Sequence, residues 1–187
     1  METLRHSSIA GTWYPGDEKS LKETIEEYFA GAGEMHVRGE VMGLISPHAG
    51  YIYSGRTAAY GYSLIRESEF DVVVILSPMH RMIAGPYAVN RAAFYETPLG
   101  RVPVARDLVE KLSKTVDIDL IRHEDEHAIE IQLPFLQRQL EPVGGDEVGR
   151  GRRAEQEVDE RLARIGVRSA VDERDGVGDD QRPDPGL

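Results

Sequence analysis

Apolar positions along the chain follow two rhythms. Val41-Met42-Gly43-Leu44-Ile45 and Val72-Val73-Val74-Ile75-Leu76 are short, continuously apolar and partly β-branched, as expected of strands covered on both faces. Elsewhere apolar residues recur every three to four positions. Leu21, Ile25, Tyr28 and Phe29 form one stripe, opened by the stop and cap Pro15-Gly16-Asp17 and closed at Gly31. Thr57, Ala58, Tyr62 and Ile65 follow a turn at Ser54-Gly55 and supply a helix between the two apolar runs. Leu108, Val109 and Leu112 mark a helix over Ala105 to Thr115, with Asp107 in its first turn. Ile129, Leu133, Leu136 and Leu140 mark another, with acids crowded at its start and Pro134 predicting a kink or an early boundary. Tyr87-Ala88-Val89 reads as a short strand, and Phe94 to Val104 as a hairpin whose prolines suit edge positions.

The two apolar runs end in the same device, Ser46-Pro47-His48 and Ser77-Pro78-Met79-His80. Proline cannot donate to a sheet ladder, so it ends each strand and delivers the histidine into the loop beyond. His48 and His80 lie 32 residues apart, about the length of one strand-helix-strand unit. The expected fold class is therefore α/β, a mostly parallel sheet flanked by helices, with both runs in one sheet. Ligands bind at the carboxyl ends of such strands.

The chain's 187 residues, 40% hydrophobic and 29% charged, suit one globular domain. A net charge of −11 argues against general binding to nucleic acid or an anionic membrane. With no cysteine, thiolate metal sites and cysteine nucleophiles are excluded within the chain. No apolar run reaches the ~20 residues of a membrane span and the start lacks a signal-peptide core, so a cytoplasmic location is expected.

Two imidazoles at neighbouring strand ends make half of a site for zinc, iron or copper; alternatively each histidine hydrogen-bonds a backbone carbonyl. Ala49 to Gly55 holds two glycines around Tyr51 and Tyr53. It reads as a loop that offers phenolic hydroxyls to a ligand or packs at a rim. Trp13 and Tyr14 sit in a Gly- and Pro-punctuated loop, either as pocket rim or as anchors of that segment, and Arg81 adds positive charge near His80. On the fourth helix His127 and Glu130 are three apart on one face, suited to an acid-base pair or to a shared metal. His123 and His127 can chelate if the helix reaches His123, and Glu126 or Glu130 can complete a two-histidine, one-carboxylate triad suited to non-haem iron.

The segments AGTWYPGD, SPHAGYIYSG, SPMHR and EDEHAIEIQLPFLQ, in this order, resemble the Memo family over about Arg5 to Pro142. That family includes the B component of the AmmeMemoRadiSam system and is similar in fold to the class III extradiol dioxygenases, whose iron is held by two histidines and a carboxylate. The resemblance implies that His48 and His80 are the metal-site histidines and that His127, in the EHxIE motif, lies near the same pocket and moves protons. It further implies iron or another transition metal as cofactor, radical-SAM and AMMECR-type proteins as partners, and a small-molecule substrate. The family has also been treated as adaptors that bind phosphotyrosine peptides, which gives a peptide ligand as the alternative.

After about Pro142 the chain departs from the family. The second half that supplies an Asp and a His in a DxxH-like motif, and in some members a cysteine ligand, has no counterpart here. Of the 46 residues from Pro142 to Leu187, 37 are Gly, Ala, Val, Asp, Glu or Arg, the composition of a GC-rich gene read out of frame. The expected organisation is an incomplete Memo-like α/β domain over 1–141 and a frameshifted or disordered tail over 142–187. Val158, Leu162 and Ile165 supply at most one marginal helix there. Three readings follow: a metal-dependent enzyme of extradiol-dioxygenase type, a peptide-binding module, and an inactive truncated fragment.

Overall fold

The computed structural model describes residues 3–66, 70–80, 85–122 and 125–140, and the backbone of 164–170. Arg81, His123 and most of the 142–187 tail lie outside the described residues.

Asp17 caps the first helix, α1 (Glu18–Ala32), accepting the Ser20 N–H at 2.9 Å. It runs one residue past the expected stop at Gly31 and is capped by Gly33, whose φ of 66° is the left-handed conformation that favours glycine. Leu21, Ile25 and Tyr28 form its buried face, and complete burial of a residue such as Leu21 contributes about 2 kcal/mol.

The next helix, α2 (Tyr51–Ser63), starts before the turn expected at Ser54-Gly55. Tyr51 to Gly55 is thus its first turn and not a loop. Close packing explains the glycine: a Cβ on Gly55 would lie 2.3 Å from Tyr28 Cε2, so α1 and α2 approach as closely as they do only with hydrogen at this position. Arg106–Leu112 (α3) is shorter than its apolar spacing suggested and leaves Leu112 exposed.

The expected fourth helix also contracts. Residues 125–129 are irregular, Glu130–Gln132 form one 3₁₀ turn, and only Leu133–Gln139 (α4) is α-helical. Pro134 decides this boundary, since it fits the first helical turn, where its missing N–H has no intrahelical acceptor to lose. Tyr51, Tyr62 and Phe135 gather between the helices, with the Tyr62 and Phe135 rings stacked at 5.1 Å.

The strands make two sheets, so the expectation of one mostly parallel sheet is corrected to a mixed α/β arrangement. β1 (Leu4–Arg5) pairs parallel with β4 (Phe94–Thr97), which forms the expected hairpin with β5 (Gly100–Pro103). Gly100, at φ 116°, closes that turn. In the second sheet the order is β2 (Val72–Pro78), β7 (Arg164–Ala170), β3 (Tyr87–Asn90) and β6 (Asp119–Ile121). Its β2–β7 and β3–β6 pairs are parallel and β3–β7 is antiparallel. Ile165, which apolar spacing assigned to a helix, lies in β7.

Val41–Ile45 is not a strand, and so does not share a sheet with β2. Gly43 weakens the run, and it makes no strand pairing among the described residues; a strand exists only with a partner backbone. Met42 and Ile45 are exposed, and β2 half-buries Val73 and Ile75 on one face while Val74 and Leu76 are turned out. The continuous apolar run therefore does not mean coverage on both faces here. No helix among the described residues is long and apolar enough to cross a membrane.

Candidate metal centre

His48 follows the irregular segment 41–47, His80 lies two residues beyond the end of β2, and His127 lies in the loop before the 3₁₀ turn. Each is set by its neighbours. Gln132 donates from Nε2 to the Pro47 carbonyl at 3.0 Å and accepts the Tyr62 hydroxyl at 2.7 Å, fixing the backbone just before His48. On its other side the Tyr51 N–H donates to the Trp13 carbonyl at 2.8 Å.

His80 is held by Glu126, which accepts the His80 backbone N–H at 2.8 Å and faces its Nδ1 at 2.9 Å. Glu126 also accepts the backbone N–H groups of His127, at 2.9 Å, and Ala128, at 3.0 Å. Burial pushes this carboxyl up, but the hydrogen bonds from His80 and Ala128 outweigh it and bring the pKa down to about 2. Burial also lowers the His127 pKa, against the raising effect of Glu126, and so favours the neutral, ligand-competent imidazole.

The three rings converge. Their centroids lie 5.3 Å apart for His48 and His80, 5.9 Å for His48 and His127, and 4.6 Å for His80 and His127. One nitrogen from each falls within 4.8 Å of the other two. Nitrogens sharing one tetrahedral metal sit about 3.4 Å apart, a contraction within reach of ring rotation. Three neutral imidazoles fit zinc, copper, iron or nickel, so the donor set suits a transition metal.

The carboxylates do otherwise than expected. His127 precedes the 3₁₀ turn, so the pair does not share a helix face, and Glu130 is fully buried with its carboxylate taken up by the N-terminal loop. Its carboxylate accepts Ser7 Oγ at 2.6 Å, Tyr14 OH at 2.8 Å, the Ser8 N–H and Oγ at 2.9 Å each, and the Ile9 N–H at 3.2 Å. The Arg5 guanidinium completes this set as an ion pair. Burial raises the Glu130 pKa, and the Ser7, Ser8 and Arg5 contacts outweigh it. Glu130 thus anchors the N-terminal loop, and Glu126 is committed to His80 and its neighbours. Among the described residues, the donors that come together are the three histidines.

A pocket of about 600 Å³ opens beside the cluster, walled by Trp13, Gly50, Ile52, Tyr53, His48 and His127. Trp13 lies 4.3 Å from the His127 ring, whereas Tyr14 is buried against Glu130. The two adjacent aromatics thus divide the roles that the sequence left open. Tyr53 is exposed at the pocket, but Tyr51 is core, its hydroxyl donating to the Ile131 carbonyl at 3.2 Å. On the other side of His48 a cavity of about 430 Å³ separates the 41–46 segment from β2. Sequence reasoning missed Gln132 as the support of His48, and Glu126 as that of His80; the acid beside His127 was the only signal for the latter.

A profile of the family described as Memo-like protein matches residues 5–145. Among similar proteins is a MEMO1 family protein of Pyrococcus abyssi, 39% identical over 147 residues, covering 76% of this chain and 50% of the relative. Another, from Thermotoga neapolitana, is 42% identical over 147 residues, covering 72% and 53%. A third, from Methanosarcina barkeri, is 39% identical over 135 residues, covering 72% and 49%. The chain spans about half the length of these relatives.

Proposed function

We propose, from the premise that this chain belongs to the Memo-like family, that His48, His80 and His127 hold a transition metal beside a substrate pocket. The observation that carries the reading is the convergence of one nitrogen from each ring within 4.8 Å. Three protein ligands leave coordination positions open for a substrate or water, as catalytic sites require and closed structural sites do not. The metal would supply Lewis-acid polarisation of a substrate oxygen. The similarity in fold to extradiol dioxygenases makes iron the first metal to test.

The chain's own residues would bind and orient a small ligand. Trp13 and Tyr53 line the pocket with aromatic rings, and Trp13 packs on the His127 ring with centroids 4.3 Å apart. Gly50 borders the pocket beside His48, where a Cβ would meet the Trp13 carbonyl oxygen at 3.4 Å and the Tyr53 ring at 3.7 Å. Reaction, substrate and partner proteins of the whole family domain belong to the same proposal.

Elemental analysis of the purified chain supplied with iron, zinc or copper tests the reading. Near-stoichiometric metal in the wild type, lost in His48→Ala, His80→Ala and His127→Ala, is the expected result. Metal retained only in His127→Ala would return that residue to proton transfer. No metal in a folded wild type would refute the proposal.

A further inference from the structure

We propose that Glu126 is a positioning residue that fixes His80 in its Nδ1–H tautomer, leaving Nε2 as the lone pair for a metal; this rests on reading the histidine cluster as a ligand set.

The geometry of hydrogen carries the inference. A backbone N–H can only donate, and three of them meet this one carboxylate: His80 at Oε2, and His127 and Ala128 at Oε1. Both oxygens are therefore acceptors. The His80 Nδ1, 2.9 Å from Oε1, must be the donor in that contact. A neutral imidazole has one N–H, so its Nε2 is bare and available for coordination.

The carboxylate also sets the ligands relative to one another. It joins the loop after β2 to the loop before the 3₁₀ turn through their amide groups, and the His80 and His127 rings lie 4.6 Å apart and 21° from parallel. From the other side Arg5 Nη2 donates to the Glu126 carbonyl at 2.6 Å, which fixes the backbone that presents the carboxylate. Glu126 is 5% exposed, so bulk water does not compete for its oxygens.

Glu126→Ala tests the role because it removes the acceptor that the His80 Nδ1–H faces, whereas Gln keeps one carbonyl oxygen to accept it. Long-range ¹H–¹⁵N correlation spectra of the labelled full chain without metal would show wild-type His80 as a single Nδ1–H tautomer. In Glu126→Ala, His80 would shift toward Nε2–H while the His48 pattern stays unchanged, and zinc affinity would fall about 10- to 100-fold. A merely structural role would not move the tautomer.

Wild-type His80 in the Nε2–H form would overturn the proposal, and this reading does not depend on whether the variant folds. So would a folded Glu126→Ala protein with unchanged tautomer and zinc affinity. A wild type that shows the Nδ1–H tautomer but takes up no zinc would support the tautomer assignment and refute the metal reading.

Discussion

Removing the Glu130 carboxylate should release the N-terminal loop before it unfolds anything else. In Glu130→Ala, the Arg5 guanidinium, whose side chain is 4% exposed, loses its buried counter-ion. The Ser7, Ser8, Ile9 and Tyr14 donors lose their shared acceptor. Breaking a buried ion pair from one side costs about 3–5 kcal/mol, and each stranded buried donor adds to that in principle. Water entering the space and relaxation of the loop offset part of the loss, so we expect about 4 kcal/mol, a large share of the ~5–15 kcal/mol of a whole domain. Urea titration reads this directly: with a slope of about 2 kcal/mol per molar, the midpoint falls by roughly 2 M.

The chain's single tryptophan gives a local readout, because Trp13 sits within the loop that Glu130 holds. Its emission should shift to the red in native buffer while far-ultraviolet dichroism still reports α1 and α2. Adding Arg5→Ala to Glu130→Ala should cost less than the sum of the single changes by about 1–3 kcal/mol, since the two substitutions remove the same ion pair. A Glu130→Ala loss under about 1 kcal/mol, with unchanged Trp13 emission, would refute the anchoring role.

Acid should destabilise the fold through Glu126. Its folded pKa of about 2 lies below the ordinary carboxylate value near 4.3, so its contribution is complete above about pH 5 and disappears as pH falls toward 2. The difference amounts to about 3 kcal/mol, and Glu126→Gln should flatten the pH dependence of urea midpoints measured between pH 7 and pH 3. Gly55→Ala would gain about 1 kcal/mol of helix propensity but place Cβ 2.3 Å from Tyr28 Cε2. A net loss of about 1–2 kcal/mol is expected, and a raised melting temperature would show that Tyr28 moves aside freely. Asp17→Ala removes the cap of α1 and should cost about 1 kcal/mol, with Asp17→Ser restoring most of it. Copper(II) titrated into the folded protein should quench Trp13 emission saturably, because Trp13 lies 4.3 Å from His127, and His48→Ala should weaken that response.

Much of the local architecture was legible in the chain. Asp17 announced the start of α1, and Leu21, Ile25 and Tyr28 its buried face. Thr97 to Gly100 closed the expected hairpin, and the spacing of His48 and His80 placed a helix between them. Caps, turns and stripes depend on residues within a few positions of one another, so sequence alone carries them. Membership of the Memo-like family likewise follows from ordered motifs.

Pairing and convergence were decided in three dimensions. Val41–Ile45 has the composition of a strand but no ladder partner, and an apolar run cannot supply its own hydrogen bonds. Glu126 and Glu130 are four residues apart and equally acidic in the sequence. One turns to His80, 46 residues away, and the other to Ser7, 123 residues away, because the loops they meet differ. His127 joins His48 and His80 for the same reason: its ring follows an irregular backbone, set by the Glu126 hydrogen bonds and by Pro134, and not a helical face. Sequence determined which side chains were available, and tertiary packing decided which of them share a site.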